Sequence, residues 1–301
     1  MGNSHSSSKR KSKKMALYKE IDNKPTNLEP NKELKYYIPN NYEDIDRLHM
    51  FHFFQRYLFQ SNYSSPIEEK LTQGKCKVLN IGCGPGTWLL DLANQYEKSI
   101  FYGLDSNSVY PNEIKPSNLN FINANMFDGL PFPENEFDFI RQDPMSFMIK
   151  ADQWDFIISE MIRVTKPGGY IEILDIYFTH KGAGPILSKI YEAHNTSCLQ
   201  RGVDLRIIPN IDKIIQSNQN TPIVYRDEKS YILGPNGGKV GMIKQDIYIG
   251  YHDNEVATEN LSPLLGVTKE EYNVMITKHL IEELKNTNPE FSLVRYWAKK
   301  D

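Results

Sequence analysis

Val78-Leu79-Asn80-Ile81-Gly82-Cys83-Gly84-Pro85-Gly86-Thr87-Trp88 decides how this chain folds. A short apolar run ends in three alternating glycines, and Trp88-Leu89-Leu90-Asp91-Leu92-Ala93 continues with the apolar spacing of a helix. The pattern predicts strand, tight turn, helix. Glycine suits such a turn because the backbone there needs positive φ and because a Cβ would shield N–H groups that a ligand must approach. The turn is expected to cradle a cofactor at a helix N-terminus.

The same alternation continues downstream. Ser99 to Asp105 reads as a second strand ending in an acid, residues 119–123 as a third and Phe137 to Ile140 as a fourth. A helix from about Asp152 to Thr165 is stopped by Lys166-Pro167-Gly168-Gly169, and Tyr170 to Ile176 forms a fifth strand. Strands alternating with helices predict a doubly wound α/β sheet with the ligand at the carboxyl ends of the strands. Later, Pro185 to Cys198, Ile207 to Ser217 and Thr268 to Lys285 read as helices. Thr221 to Leu233 and Phe291 to Ala298 read as an antiparallel, hairpin-like edge, and 181–220 and 235–290 as insertions roofing the site.

Ahead of the sheet, residues 35–72 are expected to form a helical cap. Within it Asp44 to Gln60 has helical spacing, with Phe51, Phe54 and Leu58 on one side and His49, His52 and Arg56 nearly opposite. The polar trio is read as a solvated or capping face in preference to a direct substrate contact, and a metal site is disfavoured because further ligands are missing. Asn62 to Pro66 breaks the helix.

Composition narrows the class. The 301 residues include 40% hydrophobic ones, enough for a single catalytic domain. Cys76, Cys83 and Cys198 contain no CxxC pair, which argues against a disulfide framework and a structural zinc site. No apolar run has the length to cross a bilayer and no signal-peptide core is present, so a cytoplasmic location is expected, with the nucleus as alternative. Residues 1–34 read as a disordered basic tail. Its Met1-Gly2-Asn3-Ser4-His5-Ser6 matches the N-myristoylation pattern at Gly2 and precedes five basic residues between Lys9 and Lys14, which predicts peripheral membrane contact. Without those five, 30 basic residues face 38 acidic ones, a formal −8 that disfavours a nucleic-acid partner.

The glycine spacing discriminates among cofactors. A dinucleotide site asks for G-x-G-x-x-G and a nucleoside triphosphate site for Gly-Lys-Ser/Thr; neither is present. G-x-G-x-G, followed by an acid at the end of the next strand, suits a nucleoside that carries an amino-acid tail and no phosphates, namely S-adenosylmethionine.

The ordered set Val78–Thr87, Gly103-Leu104-Asp105, Leu130-Pro131-Phe132-Pro133 with Phe137-Asp138, and Glu160–Gly169 resembles class I S-adenosylmethionine-dependent methyltransferases over about residues 40 to 180. Asp46 to Pro66 with Gly86-Thr87-Trp88 is similar, more narrowly, to fungal methyltransferases related to the regulator LaeA. The resemblance implies a Rossmann-like, seven-stranded, mostly parallel sheet with one antiparallel edge strand, the whole of 73–301 being the methyltransferase domain. It implies that Gly82, Cys83, Gly84 and Gly86 bring backbone to the cofactor's methionine portion, that Asp105, with Ser106 beside it, accepts the ribose hydroxyls, and that Asn125 faces the adenine amine while Met126 packs on the ring. Arg141 and Gln142 would border the sulfonium and the acceptor, although Arg141-Gln142-Asp143 stands where the fungal relatives tend to read His-Gln-Arg. Asp175 is placed either at the mouth of the site or in solvent, and Glu160 with Arg163 as a surface ion pair. No catalytic residue is assigned. The acceptor is a small molecule or a protein, with a cofactor-binding regulatory scaffold as the alternative reading.

Overall fold

The computed structural model describes residues 41–221 and 223–301; the basic tail, Gly2 and the start of the cap lie outside them. Seven strands form one sheet in the order β3-β2-β1-β4-β5-β7-β6. β1 (Lys77–Ile81), β2 (Ile100–Asp105), β3 (Leu119–Asn123), β4 (Phe137–Gln142) and β5 (Thr165–Phe178) pair in parallel, whereas β7 (Glu290–Lys299) runs antiparallel to both β5 and β6 (Val224–Ile232). The doubly wound, mostly parallel sheet expected from the sequence is therefore observed, with β6 and β7 as its antiparallel edge pair. β1 reads as continuous apolar sequence because it is central, and Val78, Leu79, Asn80 and Ile81 are all buried between β2 and β4. Sequence order turns back between β1 and β4, so the switch point lies directly beyond Ile81, where the glycine turn begins.

Helices cover both faces. α1 (Tyr42–Phe59) starts at Asn41, whose side chain accepts the N–H of Asp44, and ends with Gln60 in the left-handed region. α2 (Glu68–Gln73) and α3 (Thr87–Gln95) pack Leu71, Trp88, Leu89 and Leu92 against Val78, Phe101 and Phe139. On the other face α4 (Trp154–Val164) sets Trp154, Ile158 and Met161 against Ile140 and Ile171. Its Glu160 and Arg163 are more than a surface pair: Arg163 also donates to the carbonyls of Phe132 (2.8 Å) and Leu130 (3.0 Å), pinning the proline turn ahead of β4.

The C-terminal half adds α5 (Pro185–Gln200), α6 (Ile211–Gln216), α7 (Gly238–His252), α8 (Glu255–Leu265), α9 (Lys269–Val274) and α10 (Leu280–Leu284). α9 and α10 are one rod with a π-helical segment, Met275–His279, between them, begun by a capping box of Thr268 and Glu271. α7 and α8 were not expected as helices. Apolar Met242 and Ile243 stay exposed on α7 while Lys244 and His252 are buried, so no polar-versus-apolar period marks this helix.

The segment after α1 is fixed by a buried charge cluster. Glu172, fully buried on β5, accepts the backbone N–H groups of Ser64 (2.8 Å) and Ser65 (2.9 Å) and the Ser65 hydroxyl (2.9 Å) through one oxygen. Its other oxygen lies 3.7 Å from Arg295 Nε and 3.9 Å from Arg141 Nη1. Those guanidiniums in turn donate to the carbonyls of Ser61 (2.9 Å) and Asn62 (2.5 Å), so α1 is tied through its C-terminal loop to β4, β5 and β7. Removing one member of such a cluster strands the others without compensation, a loss of about 3–5 kcal/mol. Glu172→Ala is expected to lower the stability of the full chain by that amount, read from the shift in urea unfolding midpoint; a shift below about 1 kcal/mol would show that the cluster does not hold the cap.

Candidate active site

A cavity of about 480 Å³ lies at the carboxyl ends of the central strands. Its floor is made by Gly82, Cys83 and Gly84 after β1, Asp105 at the end of β2 with Ser106 after it, and Asp143 after β4. Ala124, Asn125, Met126 and Val109 close one side. The roof comes from α1 (Arg47, Phe51, His52), α5 (Tyr191, His194) and α7 (Lys244, Tyr248, His252).

The floor fits S-adenosylmethionine. Asp105 Oδ2 accepts the N–H of Gly84 and Oδ1 the N–H of Asn107, both at 2.8 Å, which locks the carboxylate at the turn while each oxygen keeps acceptor capacity for a ribose hydroxyl. Burial pushes the Asp105 carboxyl up, and these backbone donors pull it back down. A Cβ on Gly84 would have Leu48 Cδ1, 3.6 Å away, as its nearest neighbour, so the space over this residue belongs to the cavity. Asn125 Oδ1 accepts the N–H of Phe127 (3.2 Å) and its amide donates to Asp128 (3.3 Å), so Asn125 shapes the turn that carries it. Met126 packs into the core beneath.

Other expected residues are used differently. Gly82 lines the cavity, but a Cβ there would sit 2.1 Å from Met145 Sδ, so protein packing alone already demands glycine. Gly86 does not line the cavity. It is the left-handed N-cap of α3 (φ 75°), and a Cβ would meet the Phe121 ring at 2.5 Å. Gln142 is also absent from the lining: on β4 it shares the face of Ile140, where neither end of its buried amide has a partner among the described residues. Arg141 points the other way into the buried cluster, stacks 4.8 Å over Trp88 and does not border the cavity. Cys83 is buried between the glycines, and burial pushes its thiol well up, which suits packing and not nucleophilic work.

The polar side of α1 is partly solvated and partly docked on α3: His49 Nδ1 lies 2.6 Å from Thr87 Oγ1, the half-exposed Arg56 donates to Asp91 at 2.9 Å, and Asn62, in the loop after the helix, donates to the same carboxylate at 2.9 Å. Asp175 reaches the cavity and is buried there, accepting the N–H of Ser146 (3.2 Å) and of Ile176 (2.8 Å); burial lifts it to about 6.

Residues 78–169 match a family of methyltransferase domains. The chain is 29% identical over 109 residues to Methyltransferase str3 of Strobilurus tenacellus, covering 36% of this chain and 38% of that protein. It is 26% identical over 215 residues to demethylmenaquinone methyltransferase of Geobacillus sp. (strain WCH70), covering 64% and 89%. To the secondary metabolism regulator laeA of Aspergillus fumigatus it is 25% identical over 144 residues, covering 48% and 37%. Among solved structures, phosphoethanolamine N-methyltransferase 2 of Haemonchus contortus with S-adenosyl-L-methionine superposes with a TM-score of 0.46 at 16% identity, over 84% of this chain and 57% of that one. Residues 78–169 carry a methyltransferase domain.

Beyond the floor, the roof of the cavity is aromatic and supplies imidazoles that burial keeps neutral. His252 donates Nδ1–H to the Tyr248 carbonyl (2.9 Å), stacks on the Tyr248 ring at 4.2 Å and leaves Nε2 without a partner among the described residues. Burial pushes His252 down to about 4 and His194 to about 3, and proximity of His252 adds to the shift on His194. The sequence marked none of these residues. The only available signal was Lys244, Ile247, Tyr248 and Tyr251 at i, i+3, i+4 and i+7, one face of a helix.

Two outcomes test this geometry. Asp105→Ala removes two charge-assisted acceptors, each worth about 1.5–3 kcal/mol, so S-adenosylhomocysteine is expected to bind at least ~100-fold more weakly by calorimetry; unchanged affinity would remove Asp105 from the cofactor site. The second is a pH effect. Imidazoles in the unfolded chain titrate near 6.5, above the folded values, so their contribution to stability is complete above about pH 6.5 and is lost as pH falls toward 4. His252→Phe should therefore reduce the stability lost between pH 7 and pH 4.5 by roughly 2–3 kcal/mol, measured by urea unfolding at both pH values; an equal loss in variant and wild type would show that His252 is not held neutral.

Proposed function

We propose that this protein transfers the methyl group of S-adenosylmethionine to a small, largely apolar acceptor held inside the cavity. The observation that carries this reading is the continuity of the cofactor floor with an aromatic room roofed by α1, α5 and α7. Phe51, Phe178, Tyr191, Tyr248 and Phe291 line that room, and a pocket of this size and lining suits a compact ligand better than an extended peptide. The chain is similar to a demethylmenaquinone methyltransferase, named for a small acceptor, which supports the same reading.

S-adenosylmethionine, when bound, supplies an electrophilic sulfonium methyl. The chain supplies position and dryness. Asp105 and the Gly82–Gly84 backbone fix one reactant, the aromatic walls fix the other and exclude water, and holding two reactants in line can be worth effective molarities of about 10⁵ M or more. No side chain is required to form a covalent intermediate, which agrees with the inert environment of Cys83.

Full-length protein incubated with methyl-tritiated S-adenosylmethionine and host-cell extract is expected to move label into the solvent-extractable small-molecule fraction. Label confined to acid-precipitable protein would sink the small-acceptor reading, and no transfer to either fraction would favour a cofactor-binding scaffold.

A further inference from the structure

The roof holds a cation that the cofactor does not need. Lys244 lies on the cavity face of α7 and is only 6% exposed. No carboxylate among the described residues lies within ion-pair distance of it, and the neighbouring charge that acts on it is Arg47. Its ammonium rests instead on aromatic faces, 4.3 Å from the Phe51 ring centroid and 5.6 Å from that of Phe54. The other cation in the roof, Arg47, is 5.5 Å over the Tyr251 ring and 3.8 Å from Asp44, one helical turn away on α1. The cavity carboxylates Asp105, Asp143 and Asp175 all belong to the strand ends below, and Asp105 and Asp175 are engaged by backbone N–H groups. A buried charge without a counter-ion is costly, and burial together with the neighbouring Arg47 brings Lys244 down to about 7.

We propose that Lys244 is the acceptor-recognition residue and that the acceptor is an amphipathic acid, an apolar or aromatic body bearing a carboxylate that pairs with the Lys244 ammonium. The aromatic room takes the body, and the Lys244 ammonium in its wall, which has no carboxylate partner among the described residues, sets which end of the molecule enters that corner. This inference rests on the small-acceptor reading above and makes it specific: an alcohol or ester of the same shape would leave the ammonium unpaired, and discrimination of that kind is large because the loss falls on a buried charge.

The test uses the full chain saturated with S-adenosylhomocysteine and two matched pairs, 2-naphthoate against 2-naphthalenemethanol and octanoate against octan-1-ol, with binding read by calorimetry at pH 7. Wild type is expected to prefer at least one acid over its alcohol by about 10-fold or more, and in Lys244→Met that ratio should fall to about one. The variant should keep its S-adenosylhomocysteine affinity and gain thermal stability; if it fails to fold, Lys244→Gln serves in its place with the same expected ratio. A wild-type ratio near one for both pairs, failure of both acids to bind, or a preference that survives the substitution would overturn the proposal. Loss of S-adenosylhomocysteine binding by the wild type would instead defeat the cofactor reading, so the two failures are distinguishable.

Discussion

The architecture turns on Glu172. A carboxylate with no solvent contact is tolerable only because one oxygen takes three donors from Ser64 and Ser65 and the other is flanked by Arg295 and Arg141. The consequence is positional. The loop after α1 has one place to sit, α1 inherits that place, and Leu48, Phe51 and His52 are thereby held over the glycine turn. Arg141 belongs to this framework, which explains why a basic residue beside the cofactor strand makes no contact with the cavity.

Floor and roof follow different physical rules. At the floor, acceptors and backbone N–H groups are matched: Asp105 with Gly84 and Asn107, Asp175 with Ser146 and Ile176. At the roof, polar groups are desolvated without full matching, so His194 and His252 are neutral and Lys244 leans on rings. A matched floor suits a ligand that is always the same. An unmatched roof is where a second molecule completes the polar pairing.

Much of this was legible in the residues. Short apolar runs, alternation and period-3.6 spacing located all seven strands and α1, α3 and α4, since most of them bury a face or a whole strand whose spacing is set by its own geometry. The glycine turn and Asp105 were legible for the same local reason. Neither strand-end residue of β4 borders the cavity: Gln142 shares the buried face of Ile140, and Arg141, on the opposite face, is drawn into contacts with Asn62 and Glu172 that are distant in sequence. α7 was missed because its apolar residues are split between a buried and an exposed side.

The sequence by itself determined the sheet, its switch point and the identity of the cofactor cradle, since strand periodicity, helix spacing and turn chemistry are properties of neighbouring residues. Only the tertiary structure decided what stands over that cradle. Lys244 and His252 on α7, His194 on α5 and Arg47 on α1 acquire their chemistry from shared burial, and desolvation is produced by the surroundings, which no local pattern of residues encodes.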